Sequence, residues 1–298
     1  MTFRIEPSEP VPHAIQRIVR AQLEEARAAA GDPKEPLGER VHEVRTAMKK
    51  VRALNRLVRP TVGKPARRAD RRLRKIAHSV SALRDAGVVL KTFDRTVAGV
   101  PRASSGSAIA RIRARLALHL RTQVQAFERG RCAGRLRSDL AHEWRKVDAW
   151  MPKADDRAAI AEGLTEGYRR ARKAMAAAYR TESGVDFHAW RRTVKTHRHQ
   201  VAALEAIAPR QMKARLDELD RLGDLLGDEH DLTVLEAAIC AELSQEADPD
   251  PLAGLLRRIA QRRRSLRRRA QPLGRLLFKE RPSAFRDQAR SELRATRS

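Results

Sequence analysis

Val41, Val44, Met48, Val51, Leu54 and Val58 follow one another at steps of three and four, the spacing of one apolar face on an α-helix. The same periodicity carries Leu73, Ile76, Val80 and Val88, and later Leu219, Leu222, Leu226 and Val234. Runs of β-branched residues with alternating polarity, the mark of strands, are hard to find. Gly and Pro divide the helical pattern into segments. An extended lead-in over 2–12 precedes expected helices over 13–30, 38–59, 65–98 (one helix or two) and 107–129. They close in turn at Gly31-Asp32-Pro33, Pro60, Gly99-Val100-Pro101 and Gly130. A helix over 135–150 reads as a bridge, after which the pattern resumes over 155–180, 186–208, 211–243 and 252–278. Gly223 and Gly227 are candidate kinks, Asp248 to Pro251 is a turn, and 283–294 is expected as a short, loosely attached helix. Helices of this length with short connections favour antiparallel bundles.

The polar positions of the 38–59 helix are patterned too. His42, Arg45, Lys49, Arg52 and Arg56 fall at steps of three and four, so they share a face roughly 80° wide. Neighbouring like charges each cost a helix about 0.2–0.5 kcal/mol, and no Asp or Glu of the same face relieves them. The spacing recurs in His188, Arg191, Lys195 and Arg198, with matching apolar positions around it. The agreement runs on without a gap: Leu73, Ile76, Val80 and Val88 correspond to Leu219, Leu222, Leu226 and Val234 at a displacement of 146. Asp85 stands as far from His42 as Asp231 does from His188. The chain is two copies of one helical unit, about 11–130 and about 155–279. The expected fold is all-α: two four-helix bundles related by an internal pseudo-twofold, with a basic central cavity. Arg258 and Arg262 match Arg111 and Arg115 at a displacement of 147, which places these four on the inner basic surface.

Charge sharpens the picture. Of 298 residues 63 are Lys or Arg, and the formal net charge of +26 with a pI near 11.4 calls for polyanionic partners. An aromatic content of 4% leaves little for stacking on bases. Two cysteines, Cys132 and Cys240, fit a reducing compartment or no redox role at all. No positively charged start leading into an apolar stretch is found, and no apolar run approaches the length that spans a bilayer. A row from His42 to Arg56 covers about 21 Å of helix, enough for a linear polyanion rather than one phosphate, with Arg offering bidentate contacts and Lys a point charge.

The segments beginning at His42 and His188 resemble the signature of the CHAD family, the conserved histidine α-helical domain. The stretches Leu83-Arg84-Asp85-Ala86-Gly87-Val88-Val89-Leu90 and Leu225-Leu226-Gly227-Asp228-Glu229-His230-Asp231-Leu232-Thr233-Val234-Leu235 are similar to a second recurrent motif of that family. Gly87 stands where the family often has Asp, and His230 where Arg is common. The resemblance covers 3–281, leaving 282–298 as a C-terminal tail. It implies non-catalytic binding of inorganic polyphosphate in the central cavity, without cofactor or metal, by a cytoplasmic protein found at polyphosphate granules. The residues by themselves say only that a linear polyanion is gripped by two matched basic helices.

Two rivals stand beside this reading. Nonspecific nucleic-acid binding in vitro follows from the charge alone. A metal-dependent phosphohydrolase of His–Asp type would use His188 or His197 with His230-Asp231 and Asp248 or Asp250. Against it, the repeat mate of His230-Asp231 is Arg84-Asp85, which suits a helix cap or an ion pair. His197 and His199, two residues apart, point about 200° apart on a helix and do not chelate together.

Overall fold

The computed structural model describes residues 3–98, 106–243 and 250–295. Among them the chain forms twelve α-helices and no strand. The first unit comprises α1 (Val11–Gly31), α2 (Leu37–Leu57), the single turn α3 (Arg59–Val62), α4 (Lys64–Ser79), α5 (Ser81–Val97), α6 (Gly106–Arg129) and α7 (Cys132–Arg145). The second comprises α8 (Arg157–Thr181), α9 (Gly184–Leu204), α10 (Pro209–Leu243), α11 (Asp250–Leu277) and α12 (Pro282–Ala295). Gly99-Val100-Pro101, expected as a stop, lies outside the described residues, as does Asp248 of the expected turn.

Local chemistry sets several boundaries. The Asp156 carboxylate accepts from Ala159 N–H at 2.9 Å at the start of α8, and Ser183 Oγ accepts from Val185 N–H at 3.1 Å at the start of α9. Such caps satisfy amides that have no intrahelical partner. Between α4 and α5 the helix breaks at Val80, where Ser79 and Ser81 hydroxyls donate to the carbonyls of Ile76 and His78, competing with the backbone ladder. The second unit has Leu225 and Gly227 at the corresponding places, and α10 runs on for 35 residues. Gly223 and Gly227, the candidate kinks, both lie inside this one continuous helix. A Cβ at Gly223 would lie 3.1 Å from Lys195 Nζ, so the missing side chain makes room for a motif cation.

Bundle membership differs from the order along the chain. Helices α1, α2 and α4 are joined by α7, the expected bridge, while α8, α9 and α10 are joined by α12. The 283–294 helix is firmly seated: Phe285, Ala289 and Leu293, four apart, are buried, and Phe285 stacks on Tyr168 at 4.2 Å. One continuous apolar core runs through both bundles. Ile5 is buried in it, and its N–H donates to Ala203 O at 2.9 Å, tying the lead-in to the end of α9. The fourth helices, α6 and α11, instead pack with α5 and the far half of α10 around a separate core that includes Phe93, Ile112, Leu235 and Ile259. The molecule thus has a body and an arm, and the matched helices α2 and α9 lie against each other in the body.

Candidate polyanion groove

Val44, Met48, Val51 and Leu54 of α2, and Trp190, Val194 and Val201 of α9, are fully buried. Burying these faces turns the polar faces of both helices the other way. Arg56 Nη1 donates to Thr196 Oγ1 at 3.3 Å and Gln200 Nε2 to Ala53 O at 3.3 Å, holding the two helices together. Their polar faces line one concavity of about 480 Å³. Arg45, Lys49, Arg52 and Arg56 stand on one side, His188, Arg191 and Lys195 on the other. Arg74 of α4, Arg84 and Asp85 of α5, Arg170 of α8, Arg192 and His199 of α9 and His230 of α10 add the remaining titratable groups, with Ala77, Thr193 and Thr196 between them. Ten arginines and lysines thus face a single carboxylate, and that carboxylate, Asp85, is paired with Arg84 at 3.1 Å.

The hollow continues past α2. Arg56, Arg170, Thr193 and Thr196 also line a neighbouring hollow of about 330 Å³, to which Arg59, Arg67 and Glu166 contribute. Two glycines of α8 make this junction. A Cβ at Gly163 would lie 1.9 Å from Leu57 O, and one at Gly167 2.1 Å from Gln200 Oε1. Only glycine permits so close an approach of helix to helix, and that approach brings Arg170 to the groove.

Several expected residues are elsewhere. His42 is exposed and lines another hollow with Gln22 and Glu25 of α1 and Lys50, because it sits at the start of α2, before the helix reaches the cavity. Arg198 is held by Asp220 through contacts of 2.7 and 2.9 Å and does not line the concavity. Arg111, Arg115, Arg258 and Arg262 are on the arm, not on an inner basic surface: Arg115 Nη1 is 3.6 Å from a Glu242 oxygen, and Arg258 and Arg262 point outward. Leu255, Ile259 and Leu266 take the inner face of α11. Arg263 and Arg267 of the same helix turn inward to the buried Glu229.

The acids missing from the motif helices arrive from their neighbours. Asp70 of α4 accepts from Arg52 Nε at 2.8 Å and lies 3.6 Å from Arg56. Burial opposes its ionisation, but the Arg52 hydrogen bond and the Arg56 charge hold it below the usual carboxylate range. Lys195 Nζ is 3.7 Å from Asp224. Arg45 donates to Ala77 O at 3.2 Å, yet its Nε and that of Arg191 are buried without a partner. Lys49 makes no ion pair among the described residues. Its side chain is open to the solvent of the concavity while protein surrounds it on its other sides. Desolvation, followed by the charges of Arg191, Arg45, Arg84 and Lys195, lowers its ammonium to about 7.

Both histidines at the far end are pushed toward the neutral form. His188 Nδ1 lies 3.1 Å from His230 Nδ1. Burial and then His188 push His230 down to about 3, and burial with Arg192 and Arg191 lowers His188. His199, almost wholly buried, is lowered to about 3 by burial, and its Nδ1 has no partner. His197 is fully buried among Tyr168, Phe278 and Phe285. Among the described residues no group of three or more His, Cys, Asp or Glu comes together in a metal-ligating arrangement.

The model of the CHAD domain matches residues 14–240. The chain belongs to the CHAD family. Its fold is similar to the crystal structure of the CHAD domain from the plant Ricinus communis, with a TM-score of 0.60 and 16% identity, covering 96% of this chain and 93% of that one. No curated protein matches. Within this CHAD fold, Arg74, Arg84, Arg170, Arg192, His199 and His230 are groove residues that the motif spacing did not single out. Arg84 and His230 were visible as part of the second recurrent motif. His199 was visible as the residue four after Lys195, on the same helical face.

Proposed function

We propose that this CHAD protein binds inorganic polyphosphate along the groove between α2 and α9, without catalysing a reaction on it. The observation that carries the reading is the lining: ten arginine and lysine side chains to one carboxylate, continuing past Arg56 and Arg170 into a second hollow. Unpartnered guanidinium nitrogens inside it are costly until an anion supplies acceptors. A chain of linked phosphates supplies them at every step, and the 11 helical steps from Arg45 to Arg56 cover about 16 Å of track. The low aromatic content of 4% favours an inorganic chain over stacked bases. The expected setting is the cytoplasm, at polyphosphate granules.

The test is displacement of labelled long-chain polyphosphate at fixed, near-physiological salt. Unlabelled polyphosphate should compete at far lower phosphate concentration than DNA, RNA, heparin or short phosphates. Equal competition by all polyanions at equal charge would reduce the groove to a sticky basic surface. Phosphate release from polyphosphate or nucleotides, abolished by Asp231→Ala, would overturn the non-catalytic reading.

A further inference from the structure

The third helices of the two units carry opposite charge on matching faces. In α10, Asp217, Asp220, Asp224, Asp228 and Asp231 follow at steps of three and four, so they share one face. At a displacement of 146 their counterparts in the first unit are Arg71, Arg74, His78, Ala82 and Asp85. Only the last position is acidic in both. The α10 row lies beside the groove rather than in it: Asp220 holds Arg198 at 2.7 Å, Asp224 stands 3.7 Å from Lys195, and Asp228 reaches Arg95 of α5 at 3.5 Å. None of Asp217, Asp220, Asp224 or Asp228 lines the concavity, whereas Arg74 does. Asp224 keeps 83% of its side chain exposed, so its charge faces solvent as well as Lys195. Arg221, alongside, is taken by Glu218.

We infer that the acidic row of α10 is a selectivity rail, which confines a polyanion to the first-unit wall of the groove and repels ligands too broad to stay off the opposite rim. The inference rests on the polyanion reading of the groove. A single narrow phosphate chain can follow Lys49, Arg74 and Arg56, which line the concavity, and stay off Asp217, Asp220, Asp224 and Asp228, which do not. A nucleic-acid duplex carries a charge for about every 1.7 Å of axis on two strands wound round a wide body. Seated over the groove, it brings phosphates over α10, within the roughly 8 Å screening length of physiological salt. Like-charge contact of this kind discriminates by penalising the wrong partner rather than by tightening the right one.

The test compares two variants that raise the net charge equally. One is Asp217→Asn, Asp220→Asn, Asp224→Asn and Asp228→Asn together; the control is Glu35→Gln, Glu128→Gln, Asp139→Asn and Asp287→Asn, all exposed and off the row. Duplex DNA should bind the rail variant about tenfold tighter than wild type, while long-chain polyphosphate gains less than about threefold. The control should move both ligands by less than about threefold. An equal gain for DNA in the two variants, or an equal gain for polyphosphate and DNA in the rail variant, overturns the rail. Should the fourfold variant lose its melting transition, Asp224→Asn alone disturbs a single exposed side chain. It should shift the DNA-to-polyphosphate ratio in the same direction by at least about twofold, and an unchanged ratio counts against the rail. If wild type fails to bind polyphosphate, the proposed function falls, while the DNA comparison between the two variants still decides the rail.

Discussion

Lys49 and Lys195 occupy the same place in the two copies of the helical unit and stand in different electrostatic surroundings. Lys195 looks at Asp224 across 3.7 Å, with 32% of its side chain exposed. Lys49 has four cations as its charged neighbours, and its ammonium is lowered to about 7 from an ordinary 10.5. The helices that carry them still match closely; the helices beside them do not, with Arg74 and His78 on one side and Asp220 and Asp224 on the other. Duplication therefore preserved the two rows, while divergence of the third helices gave Lys195 a carboxylate neighbour and left Lys49 without one, although Asp70 of α4 serves Arg52 and Arg56 further along the first row. A charge row is a property of one helix, whereas its free energy belongs to whatever packs beside it.

The largest effect that would sharpen this contrast comes from removing the centre of both rows. Substituting Arg45, Lys49, Arg191 and Lys195 together by Ala should cost several kcal/mol of polyphosphate binding, since charge-assisted hydrogen bonds contribute about 1.5–3 kcal/mol each before non-additivity. The salt dependence of affinity should flatten as fewer counterions are released. The matched control is Arg257, Arg264, Arg268 and Arg269 to Ala, all exposed on α11; Arg263 and Arg267 are unsuitable because they hold Glu229. Equal losses in the two variants, measured by titration at several salt concentrations, would remove the groove.

Next in size is the contrast between single substitutions. Lys49→Ala removes an uncompensated charge and should weaken binding about 10- to 100-fold. Lys195→Ala removes one already committed to Asp224 and should cost less than about fivefold. Matching losses would show that the two walls act alike.

A smaller effect is the pH dependence of binding. Above pH 7 the free protein has lost the Lys49 proton, and bound phosphate oxygens draw it back. Binding then takes up as much as one proton, and affinity falls with rising pH by at most about tenfold per unit. Lys49→Arg should keep affinity and lose this slope; calorimetry in buffers of different ionisation enthalpy measures the uptake. An unchanged slope in that variant assigns the proton elsewhere.

Smallest is the effect on stability. Because the folded-state pKa of Lys49 lies below the unfolded one, the native protein binds fewer protons than the unfolded chain between about pH 7 and 10.5. Stability should therefore rise with pH across that window, and the penalty is fully present below it. Lys49→Met should raise Tm at pH 6, with the gain fading toward pH 10. Solvent in the concavity screens the charge, leaving on the order of 1 kcal/mol, about 2–4 °C. No gain at pH 6 would mean the ammonium is not strained.

Much of the groove was legible because each motif row lies on one helix, where steps of three and four guarantee a shared face whatever the fold. Arg45, Lys49, Arg191 and Lys195 line the concavity for that reason. His42 shares the angle but not the height, and height along a helix has no meaning until a neighbouring helix ends or begins beside it. Arg170 carried no visible signal, since its place depends on Gly163 and Gly167 letting α8 press against the end of α2. The seat of α12 is written in Phe285, Ala289 and Leu293, an apolar stripe at steps of four; the shortness of the segment and its place beyond the second repeat point instead to the loose attachment expected from the sequence.

Local periodicity and the repeat at a displacement of 146 determined the helices, the duplication and the two cationic faces, since each depends on residues close in the chain or on comparing the chain with itself. Which helix completes each bundle, the separation of body from arm, the pairing of Arg52 with Asp70 and Arg198 with Asp220, and the isolation of Lys49 were decided by tertiary packing alone. Those features are distances between groups far apart in sequence, and a Coulomb interaction or a desolvation cost exists only once such distances are set.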